Sequence, residues 1–256
     1  MQGMFNPLDR PFLIFVVSLL IFWISAWVGG WIRMRQGSEK EGSHEDFAFV
    51  LGATLTLLGL IVAFTFSMAV SRYDQRKNYE EQEANAIGTE YLRADLLPIG
   101  DAAKVHALLR SYLDQRILCY KTQDAQQLRQ VNAQTARLQI EMWSTVSAPA
   151  AAKATPVAAL ILAGMNDVLN SQGYTQAAWW NRIPIAAWAL LMAISIFCNI
   201  LVGYVAHGRS GFLFLILPVA LSISLFLIAD IDSPYHGIIR VAPQNLESLV
   251  ESLHSQ

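Results

Sequence analysis

Charge is what this chain lacks, and where it is lacking matters most. Only 15% of its 256 residues are Asp, Glu, Lys or Arg, against 54% that are hydrophobic. Four stretches, residues 11–32, 47–70, 184–206 and 212–229, contain no charged side chain at all. The first three run to about 22–24 residues, and the fourth is shorter. A hydrocarbon core roughly 30 Å thick is crossed by about 20 residues of apolar helix. Inside it every backbone group must be paired within the segment. The four stretches are therefore expected to be transmembrane helices, and the composition excludes an ordinary soluble domain.

Other absences narrow the chemistry. There are two cysteines, Cys119 and Cys198, in the polar middle of the chain and in the third apolar run. Their spacing fits neither a zinc site nor a disulfide framework, so ordinary reduced thiols are expected. Five scattered histidines show no metal-ligand spacing. No glycine-rich phosphate loop and no strand alternation of a nucleotide-binding sheet is present. A net charge of −2 gives no reason to expect nucleic acid as a partner. No catalytic constellation emerges, so the expectation is no enzyme, no cofactor and no metal. The first apolar run is longer than a signal-peptide core and ends in Trp27-Val28-Gly29-Gly30-Trp31 without a small-x-small cleavage site. It reads as a retained helix. Trp23, Trp27 and Trp31 lie four apart on one side of it, as an interfacial anchor or as a packing face.

An even number of spans puts both termini on one side. Arg10, Arg72, Arg76, Lys77, Arg182 and Arg240 flank the spans on the side of the polar middle, against Arg33, Arg35, Lys40 and Arg209 on the other. The positive-inside rule then makes the polar middle and both termini cytoplasmic. Ala84, Ile87, Tyr91 and Ala94 recur at helical spacing, so the second span is expected to continue as a helix to the turn at Pro98-Ile99-Gly100. Asp101 is a candidate N-cap for the next helix, which carries Val105, Leu108, Leu109, Tyr112 and Ile117. A third helix fits residues 125–143. A fourth fits residues 154–169 and is expected to break at Ser171-Gln172-Gly173. The acids of the long helix, Glu80, Glu81, Glu83, Glu90 and Asp95, interleave with Arg72, Arg76, Lys77 and Arg93 and read as a solvated surface with i,i+4 pairs. The fold class is thus all-α, an integral membrane protein. Residues 1–70 hold the first helix pair, 71–183 a cytoplasmic helical domain, 184–232 the second pair and 233–256 a cytoplasmic tail.

The second span carries Gly52, Thr56, Gly59, Ala63 and Ser67 on one helical stripe. Small residues let membrane helices approach closely, so helix packing is one reading. The other is a pore. Thr56, Leu60 and Phe64 at strict i,i+4 spacing would project successive rings inward, with Ser67 below them, and Leu and Phe rings can gate by dewetting. In the last two spans Asn199 needs a partner within the bundle, and Pro218 is a tolerated defect. Asp230 and Asp232 close the final helix, where carboxylates oppose the helix dipole, so Arg72, Arg76 or Arg240 is expected nearby.

The run Ser67-Met68-Ala69-Val70-Ser71-Arg72-Tyr73-Asp74-Gln75-Arg76, continued by Glu83-Ala84-Asn85-Ala86-Ile87-Gly88 and Tyr91-Leu92-Arg93-Ala94-Asp95-Leu96-Leu97-Pro98, resembles the bacterial bestrophin-like domain family. The C-terminal Asp230-Ile231-Asp232-Ser233-Pro234, followed by Gly237-Ile238-Ile239-Arg240-Val241, resembles that family's second signature. The more distant resemblance is to bestrophins themselves, pentameric ion channels with four transmembrane segments per subunit and a large cytoplasmic helical portion. That resemblance implies a homo-oligomer, a pentamer, in the bacterial inner membrane, passing small inorganic ions through a pore lined by the second helix at Thr56, Leu60, Phe64 and Ser67. It places the bestrophin Arg-aromatic motif at Arg72-Tyr73, and Arg72, Tyr73, Arg76, Asp230 and Asp232 at the cytoplasmic vestibule. Of the neck positions only Phe64 keeps the aromatic character of bestrophins, and two aspartates fall short of a calcium site of 6–8 ligands. The alternative reading is a non-conducting scaffold or signalling protein whose cytoplasmic helices bind a partner.

Overall fold

The computed structural model describes residues 10–36, 42–206 and 213–254. These form eight helices: α1 (Pro11–Gln36), α2 (Gly42–Ala94), α3 (Ile99–Lys121), α4 (Ala125–Ala152), α5 (Pro156–Trp180), α6 (Ile185–Ala206), α7 (Leu213–Asp232) and α8 (Gln244–His254). No strand occurs among the described residues. The chain divides into two compact units, residues 1–72 with 182–240 and residues 73–181 with 241–256.

The first unit holds the apolar runs. Among the described residues four stretches of helix are long and apolar enough to cross a membrane. α1 packs along α6 and α7, and α6 also packs on α7. The α1–α6 contact is made by backbone. A Cβ at Gly29 would overlap the Ile200 carbonyl oxygen, and one at Gly203 would overlap that of Ala26. Glycine at both positions lets the helices touch main chain to main chain, where dispersion contacts supply the attraction that lipid denies to hydrophobic burial. Arg33 at the end of α1 donates to the carbonyls of Tyr204 (2.9 Å) and Val205 (3.3 Å) in the last turn of α6. That satisfies acceptors which a helix end leaves orphaned. Trp23, Trp27 and Trp31 point outward, and Arg35 stacks 4.0 Å above the Trp31 ring. Asn199 is fully buried and donates to the Ser195 carbonyl of its own helix at 2.7 Å. α7 continues through Pro218. Lys40, Arg209 and Phe212 lie outside the described residues.

The second unit is a helical bundle, and here the sequence-based boundaries need correction. α3 begins at Ile99 with Pro98 at the N-cap, which makes no side-chain cap bond, and Asp101 sits inside the first turn. Pro98 presets the extended cap conformation, and the acid still complements the helix dipole. α4 is capped by Asp124, whose carboxylate accepts from the backbone of Gln126 (2.9 Å) and Gln127 (2.7 Å). α5 does not break at Ser171-Gln172-Gly173 but runs on to Trp180. Buried Val168, Ser171, Thr175, Ala178 and Trp179 keep one face packed across the glycine. That outweighs the helix penalty of Gly173, about 1 kcal/mol relative to alanine. The stretch after α7 is not a plain tail, because it forms α8, which packs on α3.

Candidate functional site

The apolar half of α2 is unusual for how little of it the chain covers. Between residues 47 and 70 only Leu58, Thr65 and Ala69 are buried, a single narrow seam. Thr56, Leu60, Phe64 and Ser67 are all exposed, Leu60 at 52% and Phe64 at 63%. The Thr56 hydroxyl donates to the Gly52 carbonyl at 2.9 Å, so its own helix occupies the donor. A Cβ at Gly52 or Gly59 would meet nothing within 4 Å. The small-residue stripe of α2 therefore serves no packing inside the subunit, and that task falls to Gly29 and Gly203. An apolar helix open on most of its circumference needs lipid or further protein around it.

At the end of α7 the two aspartates are spent on backbone. Asp230 is buried and accepts from Ile238 N–H (2.7 Å) and Ile239 N–H (2.8 Å) in the turn that follows. A side chain at Gly237 would strike the Asp230 carbonyl, so glycine keeps this turn tight. Asp232 is buried and accepts from Ile183 N–H, just ahead of α6, at 3.2 and 3.3 Å. Arg72 approaches the same carboxylate at 3.6 Å. This is the compensating cation that carboxylates at a helix C-terminus require. Tyr73 is half-buried, while Arg76 in the second unit is only 2% exposed. Among the described residues no group of three or more His, Cys, Asp or Glu could hold a metal ion.

Within the second unit the packed face of α2 carries charged as well as apolar side chains. Glu80, Glu83 and Glu90, read above as a solvated surface, are buried together with Arg76. They share the helical face of Ala84, Ile87, Tyr91 and Ala94, so their phase was readable even though their partners were not. Glu80 caps α8 from another helix, accepting from the backbone of Asn245 (2.9 Å) and Leu246 (3.0 Å) and from the Asn245 amide (2.6 Å). Glu83 pairs with buried Arg116 of α3 and accepts from the Thr175 hydroxyl of α5 at 3.2 Å. Burial works against the charge of Arg116, but Glu83 outweighs it and drives the pKa up. Burial, reinforced by Glu83, raises the phenols of Tyr112 and Tyr120, and burial also raises the Cys119 thiol. Glu90 is the exception. Neither of its oxygens has a hydrogen-bond partner, and Arg93 comes only to 3.9 Å. Burial pushes its pKa up to about 8, with Arg93 opposing and Asp167 adding to the rise.

Comparison with known proteins sets this architecture in context. A bacterial bestrophin homologue from Klebsiella pneumoniae carrying a leucine-to-threonine substitution is 14% identical, with 96% of this chain and 99% of that one covered and a TM-score of 0.63. A tryptophan-to-alanine variant of the Klebsiella homologue is 13% identical over 94% and 97% of the two chains, with a TM-score of 0.65. A third structure, described as a membrane protein with a glycine-to-alanine substitution, is 14% identical over 96% and 98%, with a TM-score of 0.66. Identities this low establish the shared fold alone. No curated protein matches the chain in sequence. The Bestrophin-like domain family matches residues 14–246, nearly the whole chain. This protein belongs to the bestrophin-like domain family.

Proposed function

We propose that the chain assembles into a homo-oligomer, a pentamer, in the bacterial inner membrane and conducts small inorganic ions through a central pore. Copies of α2 line that pore, with Thr56, Leu60, Phe64 and Ser67 facing the path and Leu60 and Phe64 forming its apolar constriction. The single observation carrying this reading is the uncovered circumference of α2 between residues 47 and 70. A subunit that leaves an apolar helix open on most of its circumference has assigned that surface to contacts outside itself. Rings of exposed Leu and Phe gate by excluding water rather than by charge. The second unit and both termini are cytoplasmic in this reading. Arg72, Tyr73, Asp230 and Asp232 belong to the cytoplasmic mouth, where buried Asp230 and Asp232 brace the chain behind the path. Arg76 supports α2 from within its own bundle. The work is conduction, with no covalent step and no cofactor.

A second reading, a scaffold that docks a partner on its helical bundle, draws on Ile99 and Ile140, which are 91% and 72% exposed. Single-channel recording from purified protein in planar bilayers separates the two. Native currents whose conductance or open probability changes in Phe64→Ala support the channel and locate its constriction. Silence from both, in folded and oligomeric protein over a range of voltages and salts, moves the assignment to the scaffold.

A further inference from the structure

Below its apolar half, α2 buries Arg76, Glu80, Glu83 and Glu90 and displays a row of neutral side chains. Gln75, Asn78, Gln82, Asn85 and Thr89 are all exposed. At about 100° per residue they fall within roughly 80° of one another on the helix. The buried Arg76, Glu80, Glu83 and Glu90 lie about 100–180° round the helix from the centre of that row. The exposed charges of the same segment, Asp74, Lys77 and Glu81, sit about 60–120° to one side of the neutral row. Continued upward at the same periodicity, the row reaches Ser67, Phe64 and Leu60. A groove of about 400 Å³ between α2 and α8 runs beside its lower end. Asn245, Ser248 and Ser252 of α8 extend the row across that groove, and no charged side chain lines it.

Surface helices ordinarily keep their charges on the exposed face and their neutral residues inside. Turning three acids inward over these turns and leaving a neutral row outside has a cost: buried acids must be desolvated and paired. A surface meeting only bulk solvent gains nothing from it. A surface along which ions of either sign travel does gain, because a charge projecting directly into the path attracts one sign and repels the other more strongly than one turned aside and screened by salt. Amides and hydroxyls offer both donors and acceptors and so can solvate cations and anions alike.

Resting on the α2-lined pore proposed above, we infer that Gln75, Asn78, Gln82, Asn85 and Thr89 line the cytoplasmic part of the conduction path as an uncharged ladder. That part of the path does not sort ions by the sign of their charge, and selection is left to the constriction at Leu60 and Phe64.

Cysteine substitution tests this directly, since both native cysteines are buried and free and contribute little background. Asn78→Cys and Gln82→Cys would each be reconstituted in planar bilayers and treated with cationic or anionic methanethiosulfonate reagents. The expected result is a shift of reversal potential in a salt gradient, in opposite directions for the two reagents. Lys77→Cys, off the row, is expected to show no such opposed shift. The inference is overturned if labelling is complete by mass spectrometry, Phe64→Ala still alters the current, and neither reagent moves the reversal potential at position 78 or 82. Silence of the native channel overturns the pore reading first, and the inference with it.

Discussion

Glutamine in place of Glu90 should stabilise the second unit, and do so only as pH rises. Glu90 is fully buried on α2 against Gly164 of α5, where a Cβ would collide with its Oε2 and with Arg93 Nη1. With no hydrogen-bond donor on either oxygen, the carboxylate form is poorly solvated and the neutral acid is favoured. Burial lifts the pKa from 4.5 to about 8. Below pH 4.5 the group is protonated whether the chain is folded or not, so it contributes no pH dependence. Between pH 4.5 and 8 the unfolded chain releases the proton while the folded chain keeps it. The folded state binds more protons, and stability falls as pH rises. The slope is up to about 1.4 kcal/mol per pH unit, which accumulates to a ceiling of roughly 5 kcal/mol by pH 8 and then levels off.

Glu90→Gln preserves shape and removes the titration. The variant and the native chain should therefore melt together near pH 5 and separate progressively towards pH 8–9, with the variant the more stable. Thermal unfolding in detergent across pH 5–9, followed by hydrogen exchange of the α5 amides around Gly164, reads the effect at the site itself. Parallel melting curves for the two proteins over the whole range would refute the reasoning, because Glu90 would then ionise in place or be solvated in the folded chain.

Two further predictions follow from single contacts. Gly203→Leu drives a side chain into the Ala26 carbonyl and should weaken the α1–α6 contact by at least about 1–3 kcal/mol, the usual cost of overpacking, seen as a lower melting temperature in detergent. The same substitution at Gly59, where nothing lies within 4 Å, should leave the isolated subunit unaffected. Glu83→Gln leaves Arg116 charged, 2% exposed and without its ion-pair partner, so about 3–5 kcal/mol of stability should be lost. The double change Glu83→Gln with Arg116→Met should recover most of that loss in the same unfolding assay, and a purely additive double variant would argue against the pair.

What was legible in the sequence was local. The absence of charge marks the membrane-length helices because lipid penalises a charge wherever it occurs in a span, whatever packs around it. The periodicity of Ala84, Ile87, Tyr91 and Ala94 marks α2's continuation and its inward face, because a helix repeats itself without outside help. Even the burial of Glu80, Glu83 and Glu90 was latent in that phase. Reading them as solvated surface followed from the cost of burying acids, and overcoming that cost depends on partners far along the chain. Glu83 finds Arg116, 33 residues away, and Glu80 finds the α8 backbone, 165 residues away. No window of sequence contains both halves of either interaction.

The glycines divide in the same way. Gly52 and Gly59 form the more regular small-residue stripe, yet Gly29 and Gly203 are the ones pressed against another backbone. Sequence composition thus determined which segments are apolar helices and where α2 continues past them. Only the tertiary structure decided which glycines touch, which acids are buried, and which face of α2 stays neutral and open. The physical reason is that helix formation and desolvation are properties of a segment, whereas a close approach or a buried ion pair exists only once two distant segments meet.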